Sequence, residues 1–340
     1  MKVPVVSKDG RPLMPTNPAK ARRMIKDGVA VGKFSKLGMF YVQMKIPVSE
    51  NTQDVSLAVD PGSKYDGYAV GGPSEIILKA MASMPTKIAK RLKQRRELRR
   101  FRRRRKTWRR PERLNNRKRS AGWIAPSQLA KVQLRLKIIH ELSKVFPLKV
   151  IVVEDVAARH HSKGSGKYFS TVEIGKTKLY EEIKKIAKLV KCKGWQTAEA
   201  RKKYNIPKSK KKSKICPESH ANDAVAMLCF LYGKGINNPA PFWYWRRPEF
   251  VRRSLYRMNF QKGGRRSAYG GTSFGVFFRK GDYVQIDTPS GKKKGWIVGY
   301  YRKKGLLGVG DIFGNRLGYF EEERIELLMR RTGVFWRLEV

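Results

Sequence analysis

Apolar positions along the chain alternate between two spacings, and the changes of spacing mark its elements. Leu129, Val132, Leu136, Ile139 and Leu142 recur at steps of three and four, which predicts a helix over 126–146. "LKVIVV" at 148–153 is a β-branched run without polar alternation, expected for a strand buried on both faces. Residues 53–84 alternate apolar and small residues around "DPGSKYDGYAV" and "SEIILKAMAS". That pattern predicts a β-meander, with Pro61-Gly62 and Asp66-Gly67 as turns. "NPAKARRMIKDG" predicts a short helix with Asn17 as N-cap and Pro18 at its first position, stopped near Gly28. A short strand and an Asp9-Gly10 turn precede it, and hairpin-like strands follow. Residues 171–193 read as a basic helix, and "PKSKKKSK" at 207–214 as a lysine-rich loop. "SHANDAVAMLCFLYG" reads as a helix capped by Ser219 and closed by Gly233. From residue 241 onward, short aromatic strands separated by Gly-containing turns suggest a small β-barrel. There Tyr283, Trp296, Tyr300 and Tyr301 are expected mainly in its core.

Charge changes this picture most at residues 85–122. Between Lys87 and Arg119 there are 19 Lys and Arg against two acids, Glu97 and Glu112, a net +17. Ile88, Leu92, Leu98 and Phe101 leave only a thin apolar stripe, so a helix here needs water or phosphate on its other faces. The whole chain of 340 residues carries 76 Lys and Arg against 27 Asp and Glu, a formal +49. A compact protein with that excess repels itself. A polyanion supplying on the order of 50 phosphates would neutralise it, so a large nucleic-acid partner is expected. A ribosomal-type protein without chemistry fits the same composition. The three cysteines, Cys192, Cys216 and Cys229, form no C-x-x-C pair, which argues against a zinc ribbon or disulfide scaffold. No signal peptide or membrane span is read, and a reducing cytoplasm is the expected location.

Against this basic background three acids stand at the edges of apolar elements. Asp60 follows Leu57-Ala58-Val59, Glu154 follows the 148–153 strand, and Asp223 lies one turn into an apolar helix, three residues after His220. Two-metal phosphodiester hydrolysis uses clustered hard oxygen ligands that hold divalent ions about 4 Å apart. Each acid also has a plainer reading. Asp60 can start the Pro-Gly turn, Glu154 can be a solvated strand end, and Asp223 can complement the helix dipole. Asp155 competes with Glu154, since the preceding run is apolar on both faces.

"LAVDPGSKYDGYAV", "VIVVEDV" and "HANDAVAM", in this order, resemble the three split segments of a RuvC nuclease with the RNase H fold. The arginine-rich stretch resembles the bridge helix of CRISPR effector nucleases. "RPLMPTNPAKARRMI" is similar to the N-terminal PLMP motif of the transposon-encoded IscB and IsrB proteins. The resemblance is closer to IsrB, because the 65 residues from Asp155 to Ser219 hold no HNH pattern. It implies an α/β chain with a PLMP domain (1–52), RuvC segment I (53–84), a bridge helix (85–122), RuvC segments II (123–170) and III (171–240), and a β-barrel that reads a target-adjacent motif (241–340). It implies Asp60, Glu154 and Asp223 as ligands of two Mg²⁺ ions, selecting Glu154 over Asp155. His220 would orient or deprotonate the attacking water. Arg91, Arg95, Arg96, Arg99, Arg100, Arg102, Arg103, Arg104, Arg105, Arg109 and Arg110 would track nucleic-acid backbone. The implied protein is a monomer within a ribonucleoprotein. It would bind a structured guide (omega) RNA and double-stranded DNA, without a membrane, and nick the displaced strand. An unguided junction resolvase or RNase H-type nuclease, and a non-catalytic RNA-binding protein, are the competing readings.

Overall fold

The computed structural model describes residues 2–104, 122–156, 171–248, 256–259, 265–268, 277–301 and 304–339. It divides into two compact units, residues 1–33 with 41–242 and residues 34–40 with 243–339.

In the first unit, β1 (Val3–Val6) pairs antiparallel with β2 (Pro12–Thr16) and parallel with β4 (Phe40–Met44), after α1 (Pro18–Lys26) and β3 (Ala30–Phe34). Asn17 is the N-cap of α1 by position but makes no side-chain cap bond. Gly28, at φ +72°, turns the chain beyond the helix.

The meander follows as β5 (Val55–Asp60), β6 (Tyr65–Gly71) and β7 (Ile76–Ser83). Next come α2 (Ile88–Arg104), α3 (Pro126–Ser143), β8 (Leu148–Glu154), α4 (Thr171–Lys184), β9 (Lys188–Cys192), α5 (Gly194–Lys203) and α6 (Ala221–Tyr232). Five strands lie in the order β7-β6-β5-β8-β9. The meander pairs are antiparallel, whereas β5–β8 and β8–β9 are parallel. α6 lies against β5, β6, β7 and β8. Ala58, Ala69 and Val152 pack with Ala224, Val225 and Leu228 of α6 in one buried cluster. Because strand side chains alternate, Asp60, Gly67 and Glu154 share that α6-facing side, and Asp66 and Asp155 take the other.

Three expectations are corrected. Residues 171–193 are a helix only to Lys184; Lys188–Cys192 form β9, paired in parallel with β8. Asp66-Gly67 is not a turn but lies inside β6, paired with β7. Ser219 does not cap α6. Residues Pro217–Ser219 make a 3₁₀ turn, His220 holds the N-cap position, and the Ser219 hydroxyl donates to the carbonyls of Lys214 and Cys216. Gly233 closes α6 in the left-handed region at φ +67°.

Asp66 is fully buried. Arg135 of α3 grips it with two bonds, Nε to Oδ2 at 2.6 Å and Nη2 to Oδ1 at 2.9 Å. Nη2 also donates to the Gly62 carbonyl at 2.7 Å, while Gly62 N–H donates to Asp66 at 2.8 Å. Burial lifts the Asp66 carboxyl against the pull of Arg135. Burial also opposes the Arg135 charge, yet Asp66 holds the guanidinium above its ordinary value. The bidentate geometry is that of an ionised pair.

In the second unit, β10 (Phe242–Arg246), β11 (Tyr256–Asn259) and β12 (Arg265–Ala268) precede β13 (Tyr283–Thr288), β14 (Gly291–Tyr301), β15 (Leu306–Gly310), β16 (Arg316–Phe320), β17 (Ile325–Met329) and β18 (Phe335–Glu339). The strands β16-β15-β14-β13-β17 form an antiparallel sheet over a core including Val284, Ile286, Ile297 and Val309. Trp296 is buried, stacked on Phe335 at 4.4 Å between centroids, and Tyr283 sits 4.9 Å from Trp296. Tyr300 packs partly buried against the core, whereas Tyr301 is exposed. Gly38, at φ +81°, lies where a Cβ would stand 2.2 Å from the Trp336 ring.

Arg135→Ala leaves Asp66 buried without its partner, and the expected cost is about 3–5 kcal/mol. Lys149→Ala breaks only an exposed pair with Asp54 and should cost under about 1 kcal/mol. Denaturant unfolding of both variants checks the contrast.

Candidate nucleic-acid-processing site

Parallel pairing places the C-terminal ends of β5 and β8 side by side. Val59 is opposite Val153, so the next residues, Asp60 and Glu154, are neighbours at the same sheet edge. Both face α6, whose first turn carries Asp223. Gly67 makes this approach possible. A Cβ there would sit 2.1 Å from the His220 carbonyl oxygen, so only glycine lets the start of α6 lie on β6.

Asp60, Glu154, His220 and Asp223 thus line one open pocket of about 790 Å³, with Thr197, Arg201 and residues 208 and 210–213 of the lysine-rich loop. Asp60 and Asp223 are 8% and 7% exposed. Burial, then the Asp60 charge and a hydrogen bond to Asp60, push the Glu154 carboxyl up to about 7; the Thr197 hydroxyl pulls the other way. His220 Nδ1 is 3.8 Å from Asp60 Oδ2, and Nε2 is 3.0 Å from the Lys212 carbonyl. Burial opposes the imidazolium, but the bonds to Asp60 and Lys212 outweigh it and raise His220. Asp155 points away: Lys176 is 3.2 Å and Lys191 3.4 Å from its carboxylate.

Asp223 faces two cations. Arg201 Nη1 bonds Oδ1, and Lys208 Nζ bonds Oδ2 at 2.8 Å. Among the described residues, no group of three His, Cys, Asp or Glu stands ready to hold a metal ion. Asp60 and Glu154 form the closer pair. The structure therefore brings all four expected residues to one pocket and adds Thr197, Arg201 and Lys208, which the sequence reading missed. The only signal for Lys208 was its place in the lysine-rich loop. Arg201 lies on α5, an element without clear periodicity, and carried no signal.

Arg91, Arg95, Arg96 and Arg100 lie on α2; Arg91 is half-buried, and the other three are exposed. Arg99, Arg102, Arg103 and Arg104 belong to the helix by backbone, their side chains outside the described residues, as are Arg105, Arg109 and Arg110 altogether. Among the described residues no helix is long and apolar enough to cross a membrane.

The family described as RRXRR protein matches residues 3–175, just over half of the 340 residues. The chain belongs to the RRXRR protein family. None of the curated proteins matches this RRXRR protein. Among solved structures it is similar to T. thermophilus RuvC in complex with Holliday junction substrate, at 12% identity and a TM-score of 0.28, covering 52% of this chain and 92% of that one. A second Thermus thermophilus RuvC structure gives 12% identity, a TM-score of 0.27 and the same coverages. The matched stretch of this RRXRR protein includes α2, where residues 99–103 read RRFRR, and both strand-end carboxylates, Asp60 and Glu154.

Two outcomes check the geometry. Folded Glu154 keeps a proton up to about 7, whereas an ordinary carboxyl loses it near 4.5. Its contribution to stability is therefore present below 4.5 and lost as pH rises through 7. The raised His220 acts in the same direction, present below 6.5 and lost above its folded value. In EDTA, the melting temperature should fall between pH 5 and 8, and Glu154→Gln should flatten part of that fall. Gly67→Ala should destabilise by about 1–3 kcal/mol through overpacking against His220, read as a lower urea midpoint.

Proposed function

We propose that this protein is a divalent-metal-dependent DNA nuclease that works with a guide RNA, an IsrB-type nickase. One observation carries the catalytic part: Asp60, Glu154, His220 and Asp223, far apart along the chain, line a single pocket. The sheet supports the same reading. Its order β7-β6-β5-β8-β9, antiparallel through the meander and parallel beyond it, is the arrangement expected of the RNase H fold.

The donor set fits hard cations. Asp60 and Glu154 are adjacent carboxyls whose mutual repulsion, added to burial, keeps a proton on Glu154, and a cation would relieve that repulsion. Asp60, Glu154 and Asp223 would hold two Mg²⁺ ions, which lower the pKa of water and stabilise the leaving oxygen. The protein's own part is positional. Thr197 donates a hydrogen bond to Glu154. His220, with Nε2 bonded to the Lys212 carbonyl, turns Nδ1 toward Asp60. That arrangement suits orienting the attacking water, and neutralisation of Asp60 would lower the His220 pKa toward a proton-accepting range.

The guide-RNA part rests on charge. The +49 excess and the exposed arginines of α2 suit a polyphosphate larger than the DNA at one pocket. With one hydrolytic pocket proposed, a single strand is cut per binding event.

The test is direct. The protein is purified with co-expressed RNA and given supercoiled plasmid carrying a matched target, with Mg²⁺. Open-circle product without linear DNA is expected. Asp60→Ala should cut at least about 10²-fold more slowly while keeping RNA and target binding. Equal loss of binding and cutting would count against the assignment, and cutting of branched DNA by RNA-free protein would favour an unguided resolvase.

A further inference from the structure

We propose that Arg201 and Lys208 are exchangeable counter-ions of Asp223. Without nucleic acid they occupy its carboxylate, and a strand phosphate entering the pocket takes them over, leaving Asp223 free for a divalent cation. This rests on the nuclease reading above and adds an order to it, phosphate before the completed metal site.

Two cations more than balance the single charge of Asp223. It lies in the first turn of α6, where the helix dipole already favours a negative charge. Yet Arg201 of α5 and Lys208 of the 207–214 loop reach it from different elements, one on each oxygen. Two positive charges at the same carboxylate repel an incoming divalent ion, so the third oxygen donor is closed to metal while they remain.

The loop is built so that its lysine can leave. Its main chain is anchored independently of Lys208. Asn222 Nδ2 donates to the Pro207 carbonyl at 2.9 Å, and Ser209 N–H donates to the Glu218 carbonyl at 2.8 Å. His220 bonds the Lys212 carbonyl, and Ser219 bonds that of Lys214. Swinging Lys208 off Asp223 breaks none of these. Its side chain is already 39% exposed, against 9% for Asp223. A phosphate is the partner that both cations prefer: Arg201 offers a planar fork and Lys208 a point charge. Lys210, Lys211 and Lys212 line the same pocket and draw a strand toward it.

The test uses two readouts other than cleavage, both on the full chain as purified. Mn²⁺ binding is followed by the electron paramagnetic resonance signal of free Mn²⁺. Lys208→Gln should tighten it about tenfold, a usual size for coupling between competing partners, and adding Asp223→Asn should remove the gain. An unchanged or weaker affinity in Lys208→Gln overturns the proposal. Arg201→Gln should act in the same direction, but it sits inside α5, so the exposed Lys208 carries the test. In EDTA, a fluorescein-labelled single-stranded DNA should bind Lys208→Gln with a salt slope smaller by about 0.7, one phosphate contact; an identical slope overturns the exchange. The two readings fail separately. If Mn²⁺ responds as expected but no preparation cuts DNA, the counter-ion assignment stands and the nuclease reading falls. If the wild type cuts and Mn²⁺ affinity ignores Lys208, the reverse holds.

Discussion

A buried ion pair ties the turn after Asp60 to the helical layer. Arg135 and Asp66 lie on the sheet face opposite α6, and both bond Gly62, two residues beyond Asp60. Such a pair adds little net stability, because desolvation cancels most of the attraction. Its effect here is geometric. Gly62 cannot shift without breaking two bonds to the pair, so the chain leaves β5 along one path and Asp60 is fixed at the strand end. The same helix, α3, touches α2. The basic surface and the acidic pocket thus share one rigid support.

The pocket itself is a place where like charges are forced together. Parallel strands end on the same side of a sheet, so acids at the ends of β5 and β8 cannot separate. Three responses are visible. Glu154 keeps a proton, His220 is held toward its charged form beside Asp60, and Asp223 recruits Arg201 and Lys208. The fold therefore compensates each carboxylate separately, with a proton, an imidazole and a cation pair. The proton and the imidazolium would give way to a multivalent cation and the cation pair to a phosphate, whereas a hydrophobic repacking would not be reversible. Asp155 marks the contrast. It lies one residue from Glu154 on the opposite face, and Lys176, Tyr180 and Lys191 hold it below its ordinary value despite its burial.

Much of this is legible in the sequence. Long periodic segments such as 126–146 and the β-branched run at 148–153 became α3 and β8, because local pattern and tertiary packing agree there. Asp60, Glu154, His220 and Asp223 stood out as polar residues at apolar edges. What the local pattern misread depends on distant partners. Asp66-Gly67 has turn chemistry, yet Arg135, 69 residues away, and the His220 backbone make it strand interior. β9 hid in a basic stretch because its reason to be a strand is the edge of β8. Glu154 and Asp155 were inseparable by parity until α6 covered one face and thereby decided which acid enters the pocket.

The charge excess sets the last constraint. α2 places Arg95, Arg96 and Arg100 in water, Lys93 pairs with Glu97 at 4.0 Å, and Leu92 and Phe101 are exposed. Like charges three and four residues apart weaken a helix, and an exposed apolar stripe does not repay the loss. Phosphate oxygens would remove that repulsion along α2 by the same exchange that they would make at Asp223, where a cation leaves a protein carboxylate for a nucleic-acid anion. A chain this basic would then be more ordered with a polyanion than without one. Without one, Glu154 stays paired with a proton and Asp223 with Arg201 and Lys208, and a phosphate would offer those two cations a stronger partner.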